Sequence, residues 1–408
     1  MLQRCAYRFR LYPTPEQEAL FRLTGGACRF LYNLALEQRR LEWLRSQPRH
    51  LNAVAQGAEL PALKQAAPWL REVPHHTLIQ TLRDLDRAYR NWWSGTAAAP
   101  SYRKRRDGDR FRFPDPKQFR FEEERIFLPK AGWVRWVQHR PLRGTPKNVT
   151  ISEDAGCWYA AVQVEVEVAE PAPITAPAVG IDLGVTKPLV LSTGNLVYLP
   201  RTGETERRRL AALHRKVARK RKGSKNRAKA KHALARYQAH LARRRRDAAH
   251  KATTILAKSH GVIVLEDLRV RAMTASAKGT LEQPGTNVRA KSGLNRSLLD
   301  VAPGQIRRML EYKALWYGST VIAVNPAYTS QTCSQCGHVH AENRVSQAAF
   351  LCCACGHAEN ADVNAAKVIL QRGTGGLPGV ACGSSRRSGR KQERRPAMAG
   401  SRRLQAAE

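Results

Sequence analysis

Residues 179–186 read Val179-Gly180-Ile181-Asp182-Leu183-Gly184-Val185-Thr186: four apolar positions enclosing one carboxylate, with a glycine on either side. An Ala/Pro-rich segment precedes the run and Pro188 follows it, which reads as a buried central strand. Aspartate is depleted in strands and almost never fully buried unless it is paired or holds a metal. A turn aspartate before Gly184 accounts for this stretch equally well when it is taken alone. Two carboxylates further along decide between the readings.

The composition narrows the partners. The 408 residues exceed what one core usually supports, which predicts about two to four domains. Lys and Arg number 70 against 33 Asp and Glu, a formal charge of +37. A small-molecule enzyme has little use for that surplus, whereas a nucleic-acid partner neutralises it. The sequence has neither a long apolar run of about eighteen residues nor a signal-peptide pattern, so no membrane partner and a cytoplasmic, nucleoid-associated location are expected. Of nine cysteines, five crowd into Cys333–Cys355 while Cys5, Cys28, Cys157 and Cys382 are scattered, a pattern of metal use and not of a disulfide framework.

From the N-terminus, Tyr7, Phe9 and Leu11 alternate with polar neighbours up to Pro13, as in a strand. Thr14-Pro15-Glu16-Gln17 then carries the hydroxyl, proline and glutamine of a capping box, and helical spacing continues through Leu31 and Leu34. A second helical pattern, Leu78, Leu82, Leu85, Tyr89 and Trp92, stops at Ser94-Gly95. Residues 14–95 thus read as an inserted helical domain with its aromatic stripe in the core. Short strand patterns from Arg110 to Val168 read as a small β-barrel of residues 1–13 and 96–170, which includes the opening strand. Tyr102–Arg106 and Arg110–Phe113 mix basic and aromatic side chains suited to phosphate contact and stacking. Glu170–Pro177 reads as a linker.

Beyond Asp182, two short apolar runs flank Gly194-Asn195 and predict a hairpin, so the first three strands of this region form an antiparallel meander. Helical spacing from Glu204 to His260 breaks at Gly223-Ser224. Between Arg201 and His250 stand nineteen Lys/Arg and three acids, a density that favours nucleic-acid contact over a merely solvated face. Gly261–Leu268 repeats the opening pattern, an apolar strand ending in Glu266 and Asp267, only one of which can face the side of Asp182. Ala272–Ser292 reads as a mobile loop, Asp300 as the cap of a helix carrying Ile306, Leu310 and Leu315, and Thr320–Val324 as a further strand.

Cys333-x-x-Cys336 and Cys352-x-x-Cys355, separated by fifteen residues and each followed by glycine, have the spacing of a tetrahedral structural Zn2+ site. Cys353 falls outside the pairing, and His338, His340 and His357 are possible substitute ligands. Asp362 then stands at or near the start of a helix running through Ile369, where a cap would account for it alone. After Leu370 the chain is rich in Gly, Ser and Arg, and a disordered basic tail is expected over 371–408.

Together, Asp182 on a first strand, Glu266 on a later one and Asp362 on a closing helix follow the order of an RNase H-like α/β layout, in which three such acids converge at one end of a sheet. Converging carboxylates repel unless a cation intervenes, which predicts Mg2+. The chain resembles the TnpB family, RNA-guided DNA endonucleases of bacterial insertion sequences related to type V CRISPR effectors and Fanzor proteins. The resemblance rests on YRFRLYPTPEQE (residues 7–18), LPKAGWVR, GIDLGVTKPL, VLEDL, LNRSLLD, NPAYTSQTCSQCGH and DVNAAKVIL, and covers residues 5 to 370. It implies a RuvC-like core over 178–327 and 357–370 with an inserted zinc ribbon over 328–356. It also implies Asp182, Glu266 and Asp362 as Mg2+-binding catalytic acids, selecting Glu266 over Asp267, and Zn2+ on Cys333, Cys336, Cys352 and Cys355. A guide RNA from the transposon end and a double-stranded DNA target beside a short flanking motif complete the picture. The family commonly has Asp-Arg-Asp where this chain has Asn360-Ala361-Asp362. That departure leaves open a guide-loaded DNA-binding protein with weak or no cleavage, and an RNase H-like transposase is a third reading.

Overall fold

The structure, a computed structural model, describes residues 1–47 and 49–376. It divides into two compact units, residues 1–172 with 200–250, and residues 173–199 with 251 onward.

The first unit contains β1 (Leu2–Tyr12), α1 (Pro15–Glu42), α2 (Ala53–Ala58), α3 (Leu60–Ala66), α4 (His75–Trp93), β2 (Arg110–Phe113), β3 (Arg120–Phe121), β4 (Arg125–Leu128), β5 (Gly132–Val137), β6 (Thr145–Asp154) and β7 (Cys157–Glu167). It also contains α5 (Glu204–Ala218) and most of α6 (Lys225–Ser259). The strands form one antiparallel sheet in the order β2-β6-β7-β1-β5-β4-β3. The opening strand thus joins the sheet, at its centre. The expected barrel does not close: β2 and β3 are separate edges, and β3 is only two residues long, so the sheet is a half-barrel.

Period-two alternation buries Phe9 and Leu11, Val134 and Trp136, Val149 and Ile151, and Val162 and Val164 on one face. Phe21, Leu31 and Leu36 of α1 and Leu78, Leu82 and Leu85 of α4 join the same core. The capping box forms: Gln17 N–H donates to Thr14 Oγ1 at 3.3 Å, and Thr14 N–H donates to Gln17 Oε1 at 3.1 Å. The α4 stripe is core only as far as Tyr89; Trp92 is 42% exposed. Residues 200–250, read from sequence as part of the nuclease core, pack in the first unit. There Arg243 pairs with Asp154 at 3.0 Å, and Gly156 leaves room for the His232 ring.

The second unit contains β8 (Val179–Asp182), β9 (Leu189–Leu191), β10 (Leu196–Val197), β11 (Val262–Glu266), α7 (Val270–Met273), α8 (Val288–Val301), α9 (Pro303–Tyr317), β12 (Thr320–Val324), β13 (Ala349–Leu351), β14 (Ala358–Asn360) and α10 (Ala361–Thr374). Its sheet order is β10-β9-β8-β11-β12: the first three strands form the expected antiparallel meander, and β11 and β12 add in parallel.

Four expectations change. Asp300 is not a cap, because it lies in the last turn of α8, and Ala302 at φ 55° separates that helix from Pro303 at the start of α9. Leu315 is 69% exposed while Ile306 and Leu310 are buried. The loop expected over 272–292 gives way to α8 at Val288, and α10 runs on to Thr374, so the first residues of the expected tail are helical. Residues 377–408 of that tail lie outside the described residues.

Candidate active site and metal centre

Asp182 and Glu266 each end a strand. β8 and β11 pair in parallel with Leu265 opposite Ile181, so the next position on each strand brings Glu266 beside Asp182. Neighbours in adjacent strands lie about 4.8 Å apart and point to the same face. Asp267, one step further, turns the other way and pairs with Arg307 in the open.

Asp362 arrives on α10. A Cβ built on Gly180 would stand 2.1 Å from the Ala366 carbonyl oxygen and 2.8 Å from Leu370 Cβ, so the helix lies directly on β8 there. Asp182 is two strand residues beyond Gly180, about 6.7 Å. Asp362 is four helical residues before Ala366, about 6 Å. Both acids stand within a few residues of that contact, and Asp362 is near enough for its charge to act on Asp182. At its other end α10 crosses β11, where a Cβ on Gly373 would meet Val264 Cγ1 at 2.5 Å.

Electrostatics record the meeting. Burial, then Glu266, then Asp362 push the Asp182 carboxyl up to about 7, against a smaller downward pull from Arg344 and the Leu183 N–H. Burial also raises Glu266, opposed by the Thr329 hydroxyl, which donates to Glu266 Oε1, and by Arg372. Asp362 is held by two cations, Lys187 Nζ at 3.4 Å and Arg344 NH2 at 3.7 Å. Among the described residues, the group of ligating side chains drawn close enough to hold a metal is the cysteine cluster described below, and the three acids do not form one. The helix cap is Asn360, whose Oδ1 accepts the Asp362 N–H at 3.2 Å, so Asp362 at the second helical position is not consumed as a cap. Ala361 is fully buried against Cys333, Phe350 and Cys352.

The four cysteines do converge tightly. All four sulfurs of Cys333, Cys336, Cys352 and Cys355 lie within 4.8 Å of one another, with 3.7 Å between Cys333 and Cys355 and 3.6 Å between Cys336 and Cys352. A tetrahedron with Zn–S bonds of about 2.3 Å has edges of about 3.8 Å. The two knuckles repeat one backbone pattern: Cys333 N–H donates to His338 O and Gly337 N–H to Cys333 O, and Cys352 N–H donates to His357 O and Gly356 N–H to Cys352 O. Gly337 and Gly356 take φ of 74° and 73°, the left-handed turn that glycine adopts without strain. His338, His340 and His357 stand outside the sulfur cluster. Cys353 also does so, donating to Asn343 Oδ1.

Three residues carried no sequence signal as site residues. Asn364, fully buried, accepts the Ser334 N–H at 2.9 Å and donates to Thr332 O at 2.8 Å, tying the first knuckle to α10 two residues from Asp362. Gln371 reinforces this by donating to Ser334 O at 2.7 Å. Arg372 donates to Asn325 O and Ala327 O at 3.0 and 2.6 Å, holding the loop after β12. The partners named here are backbone atoms, which residue spacing does not reveal; Arg372 NH2 also donates to Thr332 Oγ1 at 3.3 Å.

Comparison with known proteins places these features in company. Residues 304–369 match a family model described as Cas12f1-like, TNB domain, residues 161–277 one described as "Probable transposase", and residues 1–47 one described as a helix-turn-helix domain. Over that last range the structure holds β1 and the single continuous helix α1. The chain is 44% identical over 393 residues to "Putative RNA-guided DNA endonuclease InsQ" of Escherichia coli (strain K12), covering 96% of this chain and 97% of that one. It is 35% identical over 416 residues to "Putative RNA-guided DNA endonuclease" of Streptomyces pristinaespiralis, covering 98% of each. A cryo-EM structure of a Cas12f1-sgRNA-target DNA complex aligns over 90% of this chain and 99% of that one, at 17% identity and a TM-score of 0.31. No described helix is long and apolar enough to cross a membrane.

Proposed function

The chain belongs to the TnpB family, and we propose that it is a guide-RNA-dependent DNA endonuclease whose RuvC-like site uses Asp182, Glu266 and Asp362. The observation that supports this reading is the packing of α10 on Gly180, with Asp362 near enough for its charge to act on Asp182, the strand neighbour of Glu266. Carboxylate oxygens from three elements are the hard donor set that Mg2+ takes. When bound there, Mg2+ activates water and stabilises the leaving oxygen in phosphodiester cleavage.

The chain's own residues do the rest. The Thr329 hydroxyl orients Glu266, Asn360 fixes the first turn of α10, and Asn364 with Gln371 holds that helix to the cysteine module. The sulfur spacing of that module fits structural Zn2+. α5 has no buried residue and lies in the stretch with nineteen Lys/Arg, which supports guide-RNA contact over 201–250. Guide pairing then reads the target, while the N-terminal region reads the short flanking motif.

The departure at Asn360-Ala361 motivates the second reading, a guide-loaded protein that binds DNA without cutting. The intact cap and the retained position of Asp362 favour cleavage. The test is Asp182→Ala in the RNA-loaded protein, incubated with Mg2+ and a guide-matched target beside randomised flanks. Loss of cutting with unchanged RNA binding is expected, and undiminished cutting sinks the assignment.

A further inference from the structure

Glu266 and Val324 stand opposite one another in the parallel pair of β11 and β12, and the Asp267 N–H donates to Val324 O at 2.8 Å. The loop that leaves β12 therefore starts beside a proposed metal ligand. It also returns there, because the Thr329 hydroxyl is the donor to Glu266 Oε1. Between these two contacts stands Tyr328, at φ 60°. Left-handed backbone crowds the Cβ of an L residue, so glycine or asparagine usually takes such a position. Among the described residues five non-glycine positions have positive φ, and Tyr328 is the one aromatic among them.

The turn is pinned from several sides. Tyr328 O accepts the N–H groups of Gln331 and Thr332, each at 3.0 Å, and the Thr332 hydroxyl at 2.7 Å. Asn325 Oδ1 accepts the Ala327 N–H at 3.0 Å, and Arg372 of α10 holds the carbonyls of Asn325 and Ala327. These bonds keep the backbone in its strained form, and none of them involves the tyrosine ring. Tyr328 is 66% exposed, and among the described residues its ring stacks on no other and its hydroxyl meets no hydrogen-bond partner. A side chain that strains its backbone and touches so little adds little to the fold; held beside an acid site, it points to a ligand.

The chemistry of the site narrows that ligand. Asp182, Glu266 and Asp362 repel a phosphodiester, so a strand brought to them needs a hold that carries no charge. A nucleobase offers one, since stacking on an aromatic ring serves every base and demands no particular sequence. We propose that Tyr328 is the platform on which the nucleobase next to the scissile phosphate stacks, setting the strand across the acids. Because the turn is already fixed, little ordering remains to be done when the strand arrives. This inference rests on the nuclease reading above.

The test uses full-length, RNA-loaded wild type, Tyr328→Phe, Tyr328→Leu and Tyr328→Gly. One arm follows single-turnover cleavage in Mg2+ of a guide-matched target, intact or with one abasic nucleotide at each position flanking the cut. Wild type is expected to slow about tenfold on one of these abasic targets. Tyr328→Leu and Tyr328→Gly are expected to slow about tenfold on the intact target and no further on that abasic one, while Tyr328→Phe behaves as wild type. Tyr328→Gly, relieved of the strain, is expected to melt at or above wild type. A second arm records the fluorescence of 2-aminopurine placed in turn along the target strand in Ca2+: at one position it should be quenched by wild type and Tyr328→Phe and stay bright with Tyr328→Gly. Wild-type cutting by Tyr328→Gly overturns the proposal. So does a variant that loses a further tenfold on the abasic target, or one that melts below wild type, since the ring would then be a prop of the fold. A wild type that does not cut refutes the nuclease reading; the quench still decides whether Tyr328 stacks a base.

Discussion

Gly180 of β8 and Ala366 of α10 touch so closely that even a methyl group at 180 would stand 2.1 Å from the Ala366 carbonyl oxygen. The two nearest atoms, the Ala366 carbonyl oxygen and the Leu370 nitrogen, are helix backbone, which cannot swing aside as a flexible side chain can. Gly180→Ala is therefore expected to push α10 off the sheet, lowering stability by about 1–3 kcal/mol and slowing cleavage at least tenfold while sparing guide-RNA binding. Urea unfolding and single-turnover cutting measure the two effects. Wild-type values in both would mean that the helix is free to slide.

Asp182 makes the metal-free protein sensitive to pH. Burial and the neighbouring Glu266 and Asp362 raise its carboxyl to about 7 in the folded state, whereas an unfolded Asp releases its proton near 4. Between those values the folded chain binds more protons than the unfolded one, so this group's contribution to stability falls as pH rises. The full penalty, at most about 4 kcal/mol, is reached above pH 7. The stability difference between Asp182→Asn and wild type should be small at pH 4 and grow in favour of the variant toward pH 8, and saturating Mg2+ should shrink it. A difference that is flat with pH would contradict the assignment.

Zinc is expected at one ion per chain, bound by the cysteine tetrad. Removing it with a chelator, or substituting Cys333→Ser, should loosen the knuckle that Asn364 and Gln371 grip, and with it the start of α10. Amide exchange over residues 361–374 should accelerate, and cleavage should be lost even in excess Mg2+. Unchanged exchange in the zinc-free protein would show that the helix holds itself in place.

Asn364→Ala leaves the Ser334 N–H and the Thr332 carbonyl without their buried partner. A loss of about 2–3 kcal/mol is expected, with a fall in cleavage and no change in zinc content. A thermal melt beside a zinc assay checks this. Zinc lost in parallel would place Asn364 in the metal module instead of at its junction with α10.

Much of this site is legible in sequence. Asp182 and Glu266 each end an apolar run short enough to be a buried strand, and the four cysteines carry their own spacing. Asp362 is legible in position but not in function, because an acid at a helix start usually caps it; here Asn360 takes the cap. The Asp300 reading failed because the backbone turn at Ala302 separates two helices without a side-chain cap hydrogen bond. Barrel closure was over-read from strand patterns, which report alternation but not whether the edges meet. Gln371 and Arg372 gave no signal, and Asn364, though inside DVNAAKVIL, gave no sign of its partners, because each acts on groups brought near only by the fold.

The central place of β1 has a consequence for how the protein is made. Its partner β7 spans Cys157–Glu167, so the first strand to leave the ribosome stays unpaired on that side until the last strand of its sheet is synthesised. At about 5–20 residues per second, that interval is roughly ten to thirty seconds. The stretch LQRCAYRFRLY has open backbone groups on both edges until β5 is made and on one edge until β7 follows, a template for unwanted strand pairing. Its three arginines, Arg4, Arg8 and Arg10, make nascent chains repel one another at the segment most in need of keeping apart.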